Sequence, residues 1–243
     1  MGNIRWTTVD DRQEAARHIG DSITKLLSDR GDKNALLLVS GGSALCVLDH
    51  ILLGNGSGIT IGALDERFDP DNRDSNFAAL EMTDWFRSAV RRSIAVIDTK
   101  SRPGDTRETL RDRFQNALTE WTDANPDGLT VAIFGMGGDG HTAGIFPYPE
   151  DPDFFEKTFR INGWVASYDA TGKNVFRERV TTTFPFHETI DHAFAYVCGA
   201  EKRETLIALK NRSQTLSEMP AMIFYEMPDI EIVTDQSFSE PSL

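Results

Sequence analysis

Apolar positions along this chain repeat with two different periods, and the alternation between them predicts its elements. In residues 11–30, Ala15, Ile19, Ile23, Leu26 and Leu27 fall on one stripe at helical spacing, which predicts an amphipathic helix. "NALLLVSGGS", residues 34–43, is a short continuous apolar run ending in Ser-Gly-Gly-Ser, the pattern of a buried strand followed by a tight turn. "ALCVLDHILLG" predicts a helix closed by Gly54, and "GITIGALDER", residues 58–67, a second apolar strand ending in charge. Residues 106–121 carry Leu110, Phe114, Ala117, Leu118 and Trp121 on one helical face, and "GLTVAIFGMGGDG" repeats the strand-then-glycine pattern. Pro147, Pro149 and Pro152 predict an irregular middle. "WVASYDATGKNVFRERVTTTF" then predicts two strands around a turn, and "AFAYVCGAEKRETLIALK" a strand, Gly199 and a helix; the tail "TDQSFSEPSL" is expected to fray.

Strands alternating with helices predict an α/β fold: a three-layer, mostly parallel, Rossmann-like sheet with helices on both faces. Neither an internal repeat nor a linker divides the sequence, so residues 1–243 are expected to form one domain. Polar, glycine-rich stretches recur after the apolar strands, where open α/β sheets place their ligands.

The net charge of −13 argues against a nucleic-acid partner, because no broad basic footprint exists. An anionic small molecule remains compatible if a few basic residues gather locally. With no long apolar run and no Arg/Lys-led secretory segment near Met1, no membrane partner is expected and the location predicted is cytoplasmic, as a monomer or small homo-oligomer. Cys46 and Cys198 lie in apolar stretches and read as buried free thiols.

The densest chemistry is in "FGMGGDGHTAGIFP", residues 134–147. Gly135, Gly137 and Gly140 spell G-x-G-x-x-G, but a dinucleotide site needs that turn to open a long helix, with an acid about 20 residues on. The proline-rich continuation ends any helix within about two turns, so no cofactor is expected. Ser43 lacks the second glycine of a nucleophile elbow. His187 and His192 are five apart rather than the four that a helical metal pair uses, and no metal is expected. With His18 and His50 they read as surface or satisfied core histidines. His141, directly after Asp139-Gly140, has two readings: a general base oriented by Asp139, or a turn residue beside an Asp139 that caps a helix.

Three stretches together, "LLLVSGGSALCVL", "ALDERFDPDNRDSNF" and "IFGMGGDGHTAGIFP", resemble in order and spacing the signature segments of 6-phosphogluconolactonases, which share a superfamily with glucosamine-6-phosphate deaminases. "RERVTTTF" and "VCGAEKRETL" are similar to that family's Arg-x-Thr strand and Gly-x-x-Lys phosphate segment, so the resemblance spans about residues 35–209. It departs from the family pattern at Ala44-Leu45, at Phe68-Asp69-Pro70 and along Ala143–Pro147.

The resemblance implies hydrolysis of 6-phosphoglucono-1,5-lactone, a sugar phosphate lactone of the oxidative pentose phosphate route. His141 is the implied base and Asp139 its orienting acid. Gly41, Gly42 and Ser43 would cradle the phosphate, with Arg179 and Lys202 as its side-chain partners, and Asp65 would take sugar hydroxyls. The oxyanion donor is left open between the backbone around Gly137-Gly138 and Arg67. Asp74 and Asn76 are expected only to cap a helix beginning near Ser75, and Glu66 to pair with a nearby arginine. Two alternatives stand beside this. A glucosamine-6-phosphate deaminase or isomerase would carry a glutamate where Phe146 stands, and a non-catalytic sugar-phosphate sensor would have no need of His141.

Overall fold

The computed structural model describes residues 2–160 and 163–237. Among the described residues there are ten strands: β1 (Asn3–Thr8), β2 (Ala35–Val39), β3 (Ile59–Ala63), β4 (Asp65–Arg67), β5 (Ala95–Ile97), β6 (Leu129–Gly135), β7 (Val165–Asp169), β8 (Glu178–Thr182), β9 (His192–Tyr196) and β10 (Asp229–Thr234). The helices are α1 (Arg12–Asp29), α2 (Asn76–Glu81), α3 (Asp84–Arg91), α4 (Arg107–Ala124), α5 (Pro152–Phe159), α6 (Phe184–His187) and α7 (Arg203–Lys210), with 3-10 helices at Gly42–His50, Ala200–Lys202 and Pro220–Tyr225.

Seven strands form one sheet in the order β1-β10-β9-β6-β2-β3-β5, every neighbouring pair parallel. The unbroken apolar runs of β2 and β6 follow from this position, since a central strand buries both faces. In β2, Ala35, Leu37 and Val39 enter one core with α1, the first 3-10 helix, α2 and α3, while Leu36 and Leu38 enter the other with α4, α5 and α7. β6 divides likewise, Val131 and Ile133 to the first core, Ala132 and Phe134 to the second. Truncating any of these large side chains to Ala is expected to cost about 2–5 kcal/mol.

The expected three layers are therefore present. A second, antiparallel sheet in the order β4-β8-β7 joins them on the α4 side. The run 58–67, read as one strand, divides between the sheets. Its first part ends at Ala63, and Leu64 bridges them, donating its N–H to Val39 O (3.1 Å) and accepting from Thr182 N–H (3.0 Å).

Other expectations need correction. Residues 44–54 do not make an α-helix; a 3-10 helix begins earlier, at Gly42, and ends at His50. The proline-rich middle is not wholly irregular, because Asp151 caps α5 by accepting from Phe154 N–H (3.0 Å), and Pro152 occupies the first turn, where its missing N–H costs nothing. Cys198 is buried as expected, but Cys46 is exposed. The tail expected to fray begins with Thr234, which is buried and ends β10; from residue 238 it lies outside the described residues.

From β2 the chain crosses to β3 on one side, and from β6 it reaches β9 on the other. The C-terminal ends of β2 and β6 thus form the switch point of the sheet, and a crevice opens there.

Candidate active site

That crevice is a cleft of about 220 Å³. Gly41, Gly42 and Ser43 enter it from the end of β2, Gly137 and His141 from the end of β6, Asp65 and Arg67 from β4, Arg179 from β8, and Lys202 from the 3-10 helix after β9. Asp139 stands directly behind His141. All the site residues named from the sequence therefore meet at one place.

At the β6 end the backbone folds tightly on itself. Gly137 N–H donates to His141 O (2.8 Å) and Gly140 N–H to Gly137 O (3.1 Å), with Gly140 at φ 80. Within this turn Asp139 Oδ1 accepts from the backbone N–H of His141 (3.1 Å) and lies 2.6 Å from its Nδ1. A carboxylate there holds the proton on Nδ1, leaving Nε2 of a neutral ring as the lone-pair nitrogen. Burial raises the Asp139 carboxyl, but the hydrogen bond and charge of His141 outweigh it and hold the group below its ordinary range.

A Cβ on Gly137 would overlap both the His141 ring and Asp139 Oδ1, so glycine is required for the imidazole to lie against the strand end. The ring also packs on Phe146, with centroids 4.6 Å apart. No helix begins here. Thr142 and Ile145 close a tight turn through Ala143 and Gly144, both at positive φ, which removes both the helix-capping reading of Asp139 and the dinucleotide fingerprint.

The opposite wall is built on the small sheet, where register sets Arg67 across from Arg179 on β8. Asp65 Oδ2 accepts from Arg179 Nη2 at 2.5 Å, both side chains being only 5% exposed. A Cβ on Gly144 would come within 2.6 Å of each of those two atoms, so the turn beside His141 is also what admits the ion pair. Arg67 stacks over the Phe176 ring at 4.2 Å, and burial together with the charge of Arg179 lowers its pKa. Among the described residues neither Arg67 nor Lys202 has a carboxylate within ion-pair distance, although the more distant charges of Asp65, Glu66 and Asp74 still act on Arg67.

Glu66 does not pair with an arginine side chain. It is buried and accepts from the backbone N–H groups of Arg67 (2.7 Å), Asn76 (2.6 Å) and Phe77 (3.1 Å) and the hydroxyls of Ser75 and Thr99 (both 3.0 Å). Burial pushes its carboxyl up to about 7 against these donors. Ser75, rather than Asp74 or Asn76, caps α2, accepting from Ala78 N–H (3.0 Å).

The turn after β2 places Gly42 at φ 69 and opens a 3-10 helix, whose first N–H groups lack intrahelical acceptors. Ala44, one of the departures named from the sequence, is buried in the core. Of the proposed oxyanion donors, Gly137 N–H is committed to His141 O, leaving Gly138 N–H and Arg67. Ser40, Asn76, Met136 and Gly144 also line the cleft and were not read as site residues. The buried Ser40 Oγ has no partner among the described residues, and nothing in a strand-end serine marks that in sequence.

The remaining histidines lie elsewhere. His18 contacts Glu231 (2.7 Å) and His192 contacts Asp229 (2.8 Å). His187 is fully buried against Phe134 and Phe184, with Nε2 at 2.9 Å from Thr182 Oγ1 and Nδ1 without a partner among the described residues. Glu150 is exposed and pairs with Lys173.

The chain and its fold are similar to those of known proteins. The 6-phosphogluconolactonase of Xylella fastidiosa (strain 9a5c) is 30% identical over 201 residues, 80% of this chain and 78% of that protein. The fold matches that of a 6-phosphogluconolactonase from Plasmodium vivax, with a TM-score of 0.75 at 16% identity over 96% of this chain and 90% of the other. It likewise matches one from Shewanella baltica OS155, with a TM-score of 0.72 at 17% identity over 96% and 97%. Residues 10–232 match the family described as glucosamine-6-phosphate isomerases/6-phosphogluconolactonase, and the chain belongs to that family.

Proposed function

We propose that this protein hydrolyses 6-phospho-D-glucono-1,5-lactone to 6-phosphogluconate, with His141 as the general base. The observation that carries the reading is the union in one cleft of an Asp139-oriented imidazole and two cations, Arg67 and Lys202, that make no ion pair among the described residues. The first is what a water-activating step requires, the second what a phosphorylated substrate supplies a partner for.

In this mechanism Nε2 of His141 removes a proton from water as its oxygen attacks the lactone carbonyl carbon. Asp139 stabilises the imidazolium that forms, as the carboxylate of a hydrolytic triad does. Arg67 or Gly138 N–H meets the tetrahedral oxyanion. Collapse breaks the bond between the carbonyl carbon and the ring oxygen, which takes the proton back from the imidazolium. The free Oδ1 of Asp65 accepts a sugar hydroxyl, while Lys202, Arg179 and the Gly41-Gly42-Ser43 turn hold the phosphate. In the oxidative pentose phosphate route this step follows formation of the lactone.

Phe146 argues against amino-sugar phosphate deamination. It is buried and packed at a tilt against His141 in the position where that chemistry needs a proton-carrying carboxylate, and Glu150 pairs with Lys173. The test is a coupled assay following loss of freshly prepared lactone in the presence and absence of protein, alongside an ammonia assay on glucosamine 6-phosphate. The expected result is loss faster than the spontaneous rate and no ammonia. Ammonia release without accelerated lactone loss would overturn the reading.

A further inference from the structure

We propose that Asn76 is a positioning residue of this site: its side-chain amide fixes the Asp65 carboxylate, and through it Arg179, against the Gly41 turn. The inference rests on the hydrolase reading and deepens it.

Asn76 is the first residue of α2, buried, and it lines the cleft. Its helix makes no use of its side chain, because Ser75 does the capping. Instead Nδ2 donates to the backbone oxygen of Asp65 (3.0 Å) and to its Oδ2 (3.1 Å). Both acceptors are oxygens, so the amide orientation follows from its partners. Asn76 Oδ1 lies so close to Gly41 that a Cβ there would overlap it. One side chain thus touches the strand carrying the carboxylate and the turn proposed to cradle the phosphate.

Its own position is held from behind. The backbone N–H of Asn76 donates to Glu66, whose four other donors come from Arg67, Ser75, Phe77 and Thr99. With that base fixed, the amide has little freedom, and a preorganised donor is what a binding carboxylate needs. Asp65 Oδ2 then receives both Asn76 and Arg179, which leaves Oδ1 as the oxygen available to substrate. A neutral donor is essential to this arrangement. A carboxylate at position 76 would set a second negative charge beside Asp65 and supply no hydrogen.

That chemistry gives a test which mere structural support would not satisfy. Asn76→Asp and Asn76→Ala are compared with wild type across pH, as the ratio of variant to wild type, for kcat/KM on the lactone and for 6-phosphogluconate affinity by calorimetry. At neutral pH both are expected to lose about ten- to a hundredfold, the range for a hydrogen bond to a charged group. Towards about pH 5 the Asp variant should recover, because two adjacent carboxylates come to share a proton and the neutral one donates an O–H where the amide donated an N–H. The Ala variant should not recover.

An Asp variant whose deficit is constant with pH, or an Ala variant that folds and binds 6-phosphogluconate as wild type does, would overturn the assignment. If the Asp variant does not fold, the Ala variant decides on affinity alone. A wild type that binds 6-phosphogluconate without hydrolysing lactone would refute the hydrolase reading, and the Asn76 comparison would still be decided on binding.

Discussion

The two walls of the cleft are assembled in opposite ways. The His141 wall is local: Gly137, Asp139, Gly140 and His141 bond among themselves within one turn, and the seat of the imidazole depends on a missing side chain at Gly137. The Asp65 wall is non-local: its carboxylate meets an arginine 114 positions along the chain, on another strand, and an asparagine from a helix N-terminus. The turn at Ala143-Gly144 joins them, since only a glycine there lets Arg179 and Asp65 approach. Proton transfer needs a small rigid unit with few degrees of freedom, which a single turn provides. Holding a long anionic substrate needs groups spaced across the cleft, which requires the tertiary fold.

If proton transfer and phosphate binding rest on separate residues, mutations should separate kcat from KM. The largest effect is expected for His141→Ala, a fall in kcat of about 10²–10⁴-fold with 6-phosphogluconate binding kept, since general-base catalysis contributes on that order. Steady-state rates corrected for spontaneous hydrolysis check this. Gly137→Ala should approach the same loss without touching a charged group, because the added methyl occupies the space of the His141 ring. Wild-type kcat in that variant would show that turnover does not depend on where the turn holds the imidazole.

Smaller, Lys202→Ala should raise KM about ten- to a hundredfold, the loss of one charge-assisted contact, with kcat nearly unchanged. Smallest for function is an effect on stability remote from both walls. Burial lowers the His187 pKa to about 3 from an ordinary 6.5. On acidification the unfolded chain binds this proton before the folded one does. The His187 contribution is therefore complete above about pH 6.5 and is lost as pH falls towards about 3, by about 1.4 kcal/mol per pH unit within that window. Urea unfolding of wild type and His187→Gln across pH 3–7 should show the difference between them shrinking as pH falls. Parallel curves would exclude His187 as the cause.

Legibility in the sequence followed the same local and non-local division. The Gly137–His141 turn could be read because its glycines, acid and histidine are consecutive, and the layers because β2 and β6 are apolar on both faces. Arg179 and Lys202 look like surface charges in isolation, and resemblance alone drew attention to them. Asn76 was read as a helix cap because its sequence neighbours allow that, and only the fold brings Asp65 to its amide. The break after Ala63 was hidden because Leu64 continues the apolar run while its backbone bonds to both sheets. Edge strand β1 alternates exposed and half-buried side chains, too weak a pattern to stand out, and its pairing with β10 spans nearly the whole chain.

The central claim is that the His141 turn performs the proton transfer while Lys202, a separate residue of the cleft, holds the phosphate. Its most direct test is a kinetic comparison of wild type, His141→Ala and Lys202→Ala on 6-phosphogluconolactone and on the unphosphorylated gluconolactone. The account predicts that His141→Ala lowers kcat on both substrates by a similar factor, whereas Lys202→Ala raises KM only for the phosphorylated one. Equal losses on both substrates for Lys202→Ala, or unimpaired turnover in His141→Ala, would contradict it.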